Sequence, residues 1–123
     1  MNSIGRFFNK IGNWITAKLQ PKYAVTVVVE FLPERLDRKT LYIVQDDGYT
    51  EQAAMICPCG CKQILHMNML PDERPCWSLR EHSDGSHSLH PSIWRKKGCY
   101  SHFWFINNRI QWCRGGGPWW NRM

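Results

Sequence analysis

The sequence predicts a mainly β protein, a small antiparallel β-domain preceded by one amphipathic helix. Three observations point there. Short runs rich in β-branched and aromatic residues alternate with turn residues along most of the chain. An apolar stripe of helical period occupies the N-terminal residues and stops at Pro21. Two clusters, Cys57-Pro58-Cys59-Gly60-Cys61 and Cys99-Tyr100-Ser101-His102, have the spacing of metal ligands. A metal would give a chain of 123 residues the staple that its modest core lacks.

In chain order, residues 1–20 form the helix, with Ser3 as N-cap and Ile4, Phe7, Phe8, Ile11, Trp14, Ile15 and Leu19 on one stripe. Gly5 and Gly12 weaken it, so it needs the domain or a partner to dock on. A membrane-surface helix is the alternative, with no further sequence support. Residues 21–114 form the β-domain. Tyr23 to Leu32 reads as a central strand because it is a near-continuous β-branched run. Thr40 to Gln45 and Tyr49 to Ile56 flank an Asp46-Asp47-Gly48 turn, and Lys62 to Leu70 leaves the cysteine turn as a fourth strand. Trp77 to His82 and His87 to Leu89 make a hairpin. His90 to Gly98 reads as a loop carrying Ser92. Phe103 to Ile106 and Arg109 to Trp112 close the domain around Asn107-Asn108. Residues 115–123 form a Gly/Trp tail whose Trp119 and Trp120 suggest a contact.

A hydrophobic content of 43% with seven Trp argues against disorder, and no apolar run reaches the roughly 18 residues of a membrane span. The N-terminus has no small-residue cleavage site and does not read as a secretory signal. A cytoplasmic location follows, in which the six cysteines stay reduced and serve metal rather than disulfides. The formal charge is +6, but the basic residues are scattered, with Arg95-Lys96-Lys97 the one short run. That run reads as a solvated loop, so nucleic acid is disfavoured as a partner.

Three thiols in five residues cannot all find disulfide partners without strain, whereas Zn²⁺ uses such a cluster well. The candidate ligands number one more than zinc needs. Cys57, Cys59 and Cys61, two apart in extended chain, would share a face and with Cys99 fill a closed four-thiolate site. In the other arrangement Cys99 and His102 both ligate and one early cysteine is spare. The aromatic run Phe103-Trp104-Phe105 favours extension, which turns His102 away and leaves four thiolates. Cys76 and Cys113 read as small buried hydrophobes. His66, His82 and His87 lack ligand spacing and read as exposed and unpaired.

Four motifs in order carry a resemblance: Cys57 to Cys61, Trp77 to Leu79, Ser88-Leu89-His90-Pro91-Ser92-Ile93, and Cys99 to Trp104. Across most of residues 23 to 113 the chain resembles a small bacterial zinc-binding family associated with bacterial ubiquitination-like (Bub) operons. The resemblance implies a peptidase that processes or deconjugates a ubiquitin-like protein, with that protein and its activating or conjugating enzymes as partners.

If zinc takes four cysteines, His102 is left as a general base. Its nucleophile is Ser92 or Ser101. Neighbours in a strand face opposite ways, so Ser92 with His102 is the better pair. Backbone N–H groups near Gly98 are candidates for an oxyanion hole, and Trp94 and Trp104 for the walls of a substrate groove. The competing reading is a non-catalytic zinc adaptor that binds a conjugation component or nucleic acid. A metalloprotease fits less well, since no His-Glu-x-x-His helix occurs.

Overall fold

The computed structural model of the protein describes residues 22–113. The expected N-terminal helix and Gly/Trp tail lie outside them. Among the described residues nine strands form three sheets. The largest contains β1 (Ala24–Val29), β2 (Thr40–Asp46), β3 (Tyr49–Ile56) and β4 (Ile64–Asn68), in the order β1-β2-β3-β4. A hairpin pairs β5 (Ser78–Glu81) with β6 (His87–His90). The third sheet is β7 (Ile93–Trp94), β8 (His102–Ile106) and β9 (Arg109–Trp112), in that order. Among the described residues no helix is long and apolar enough to cross a membrane.

Strand alternation builds the core. Leu41, Ile43, Ala53, Met55, Leu65 and Met67 share one face of the large sheet and are buried. They meet Leu89, Ile93, Phe103 and Phe105 from the other two sheets, giving a two-layer core. The opposite face carries a smaller cluster, Leu36, Tyr42 and Ala54, covered by the 30–39 connection. The β8–β9 turn is tied to β6 by bonds from the Asn108 and Asn107 N–H groups to the His87 carbonyl and the Ser88 Oγ, each 2.9 Å.

Two strand expectations need correction. Among the described residues the run from Tyr23 lies at the sheet edge rather than its centre: Val27 and Val29 are exposed, and Ala24–Val29 pairs only with β2. That pairing is parallel, so the sheet is mixed and not wholly antiparallel. Local β-branched composition reports strand but not neighbour, and the 30–39 connection carries the chain back to the same end of the sheet. The segment expected as a 90–98 loop contains β7, a two-residue strand too short to leave a periodic signal.

Candidate active site and thiol cluster

β8 sorts two kinds of chemistry onto its two faces. Phe103 and Phe105 are fully buried, and Ser101, next in that alternation, is also at zero exposure. His102 and Trp104 lie half-buried on the other face. His102 thereby turns away from the thiols and toward β7. There its Nε2 lies 3.0 Å from the Ser92 Oγ, within reach of a hydroxyl donating to an imidazole nitrogen. The ring also stacks on Trp94, its cross-strand partner, at 4.8 Å between centroids and 14° between planes.

Both neighbours fix Ser92. Ile93 is 4% exposed and anchors the following residue in the core. The Ser92 carbonyl accepts a hydrogen bond from Trp77 Nε1 at 3.4 Å, and the preceding His90–Pro91 bond is cis. Among the described residues no carboxylate hydrogen-bonds His102, so the arrangement is a Ser–His pair whose imidazole is oriented by an aromatic face. Trp94 is 56% exposed, and its ring also carries Lys96 Nζ at 4.8 Å. Trp104 packs at a tilt against His90, with 5.8 Å between centroids.

The sulfurs of Cys57, Cys59, Cys61 and Cys99 all lie within 4.8 Å of one another. Cys57 Sγ is 3.4 Å from Cys59 Sγ and 3.7 Å from Cys99 Sγ. A tetrahedron with metal–sulfur bonds of about 2.3 Å has edges of about 3.8 Å, so these donors fit a tetrahedral thiophilic ion. The early cysteines converge through a turn at 58–61 rather than by extended alternation. Gly60 at φ +95° and a Gly60 N–H to Cys57 carbonyl contact of 3.4 Å shape it. The Cys61 N–H points at Cys59 Sγ at 3.4 Å. No histidine belongs to the converging donors.

The groups around the sulfurs divide the charge unevenly. Burial pushes the Cys57 thiol up to about 12, against the opposing hydrogen bond of Ser101. Burial also acts to raise Cys99, but bonds from the Ser101 hydroxyl and backbone, then Cys59 and Cys57, outweigh it and hold Cys99 at about 6. Negative charge therefore collects on Cys99, where Arg95 Nη1 donates at 3.1 Å while also reaching Cys61 at 3.4 Å.

Ser101, the second candidate nucleophile, is committed to this side. Its hydroxyl lies 3.1 Å from Cys99 Sγ and 3.5 Å from Cys57 Sγ. Gly98 likewise sits on the thiol side, its Cα facing the Arg95 guanidinium. Arg95 is thus not the solvated loop residue its basic run suggested. The spacing to Cys99 was the available signal, since a metal thiolate needs an outer donor. Trp77 as the anchor of Ser92 left no local signal. His66 and His82 are not unpaired: His66 Nδ1 meets Gln52 at 3.0 Å and His82 Nε2 meets Ser88 Oγ at 2.7 Å. Cys76 and Cys113 are half-buried rather than core residues.

A family model described as bacterial ubiquitination-like system serine protease (BubE) matches residues 28–113. No curated protein and no solved structure gives a significant match.

Proposed function

Because the chain belongs to the BubE family of bacterial ubiquitination-like system serine proteases, we propose that it hydrolyses the peptide or isopeptide bond at the tail of a ubiquitin-like protein. Ser92 is the nucleophile and His102 the base. The observation that carries this reading is the 3.0 Å contact between Ser92 Oγ and His102 Nε2, two half-buried side chains. Nε2 takes the hydroxyl proton as Oγ bonds to the substrate carbonyl carbon. The imidazolium then returns that proton to the departing amine, leaving an acyl-serine. Water attacks this ester with His102 again as base, releasing the carboxylate and restoring the hydroxyl. Trp94, stacked on the imidazole, and Trp104 wall a groove in which a glycine-rich tail can approach closely.

The four cysteines hold Zn²⁺ in this reading, and four thiolates leave it no open position for substrate. When bound, the ion joins the 57–61 turn to the 95–101 segment and so steadies the residues beside Ser92 and His102. Ser101 and Arg95 direct hydrogen bonds at the thiolates.

The test incubates the protein with a ubiquitin-like protein from a ubiquitination-like operon, fused through its tail to a reporter. Cleavage after the tail, with Ser92→Ala and His102→Gln folded, metal-loaded and inactive, is the expected result. Full turnover by Ser92→Ala, or tight binding of the fusion without cleavage by the native protein, overturns it in favour of an adaptor.

A further inference from the structure

We propose a second binding site, for an acidic segment of a partner protein, in the cavity behind the thiol turn. The cavity measures about 840 Å³ and lies between the 34–39 connection and residues 56–64. None of its lining residues belongs to β7 or β8, and neither Ser92 nor His102 is among them. Its volume is that of a pocket for a few amino-acid residues.

Charge identifies the ligand. Of the eleven Lys and Arg in residues 22–113, four line this cavity: Arg35, Arg38, Lys39 and Lys62. Among the described residues none of the four makes an ion pair. Lys39 and Lys62 both hold left-handed backbone, at φ +56° and +67°, a conformation long side chains adopt reluctantly. The connection that carries three of the cations is pinned by Leu36, 8% exposed, and by the Asp37 N–H bonded to the Tyr42 hydroxyl at 2.8 Å. The cations are therefore held by an anchored wall.

The lining also excludes a phosphate polymer. Glu34 and Asp37 stand among the cations, and a continuous phosphate chain would run against both. The aromatic ring of the lining, Tyr23, is 8% exposed and offers no face for a base to stack on. A peptide with spaced carboxylates can place them on the four cations and set an apolar side chain on Ile64, which is exposed. Such a site would hold one part of a partner while the Ser–His pair acts on another, a division that rests on the proposed function.

The experiment uses the full, zinc-loaded chain carrying Ser92→Ala, so binding is measured without turnover and independently of the protease reading. Anisotropy of a short fluorescein-labelled peptide of alternating Glu and Leu is followed at low salt, beside its Gln analogue and a single-stranded oligonucleotide of equal charge. The expected result is saturable binding of the Glu peptide that weakens with salt. Arg35→Glu/Arg38→Glu should weaken it at least about tenfold with the metal content unchanged. Lys39→Gln/Lys62→Gln, a milder change should the reversal fail to fold, should weaken it by about threefold or more. Equal binding of the Gln analogue, tighter binding of the oligonucleotide, or no change in either variant overturns the proposal.

Discussion

Cys57 and Cys99 meet across 42 residues of chain, whereas Ser92 and His102 meet across 10. Loop closure makes the longer contact costlier by about 1 kcal/mol, a small difference in itself. The larger difference lies in what holds each contact. The Ser–His pair sits on adjacent strands of one small sheet, with Ile93 and Phe103 fixing both sides in the core. The sulfurs join the connection between β7 and β8 to the turn after β3, and among the described residues no backbone ladder spans the two. The difference is between a contact held by strand pairing and core anchors and one that, under the proposed function, an ion would hold.

The largest effect should follow from breaking the cluster. Structural zinc contributes an apparent binding free energy of about 10–16 kcal/mol in small domains, comparable to the whole stability of a protein this size. Cys99→Ser, or a strong chelator, is therefore expected to empty the site, lower the melting temperature and stop turnover together. Metal analysis alongside a thermal scan checks this. A metal-free protein with unchanged melting and activity would remove the dependence altogether.

Breaking the pair should instead leave the cluster intact. Ser92→Ala is expected to lower turnover by about a thousandfold or more, because nucleophile and base act as a unit. Metal content and melting temperature should stay at native values. Loss of metal from this variant would mean that the two regions support each other equally.

Arg95 tests the link between them, since it follows Trp94 in the chain and donates to Cys99 and Cys61. Removing an outer-shell donor costs about 10- to 100-fold in metal affinity. Arg95→Met should show that loss in competition with a chromophoric chelator, while turnover of the fully loaded protein falls much less. Equal losses in both readouts would place Arg95 in the chemistry itself.

Protons compete with the ion, and the sign follows from the thiols. Cys57, raised to about 12, carries its proton through the neutral range and must release it on metal binding. Cys99, near 6, is already a thiolate above that pH and competes for a proton only below it. Metal affinity should therefore fall by about tenfold for each displaced proton per pH unit on acidification, and more steeply below about pH 6. Chelator competition across roughly pH 5.5 to 8, which takes in the value of about 6 for Cys99, measures the slope. A flat profile would mean that the thiols are not the ligands.

How far the sequence discloses these regions depends on range. β-branched runs and Asp47-Gly48 or Asn107-Asn108 turns are local, and the strands from Thr40 to Ile56 and from Phe103 to Trp112 stand close to where those signals put them. Ligand spacing is also local, and the four cysteines it singles out do converge. Alternation in an aromatic strand turns His102 from the sulfurs, as its sequence implies. What escapes are contacts made by docking: the parallel partner of Ala24–Val29 and the Trp77 bond to Ser92. Each depends on how separate segments come to lie together, and no residue pattern within one segment encodes that.

The smallest effect belongs to Trp94, and it sharpens the comparison most finely. Among the described residues no carboxylate bonds to His102, so the stacked indole is the group that aims Nε2 at Ser92. Aromatic pairs contribute about 0.5–1.5 kcal/mol beyond their buried area, which corresponds to roughly a tenfold effect at most. Trp94→Ala should lower kcat by about that factor, and Trp94→Phe, which keeps a ring over the imidazole, should restore most of it. Metal content should respond to neither, because Trp94 stacks on His102 and it is the following residue, Arg95, that reaches the sulfurs. If Phe and Ala behave alike, ring orientation comes from the strand pairing of Trp94 with His102 and not from the stack.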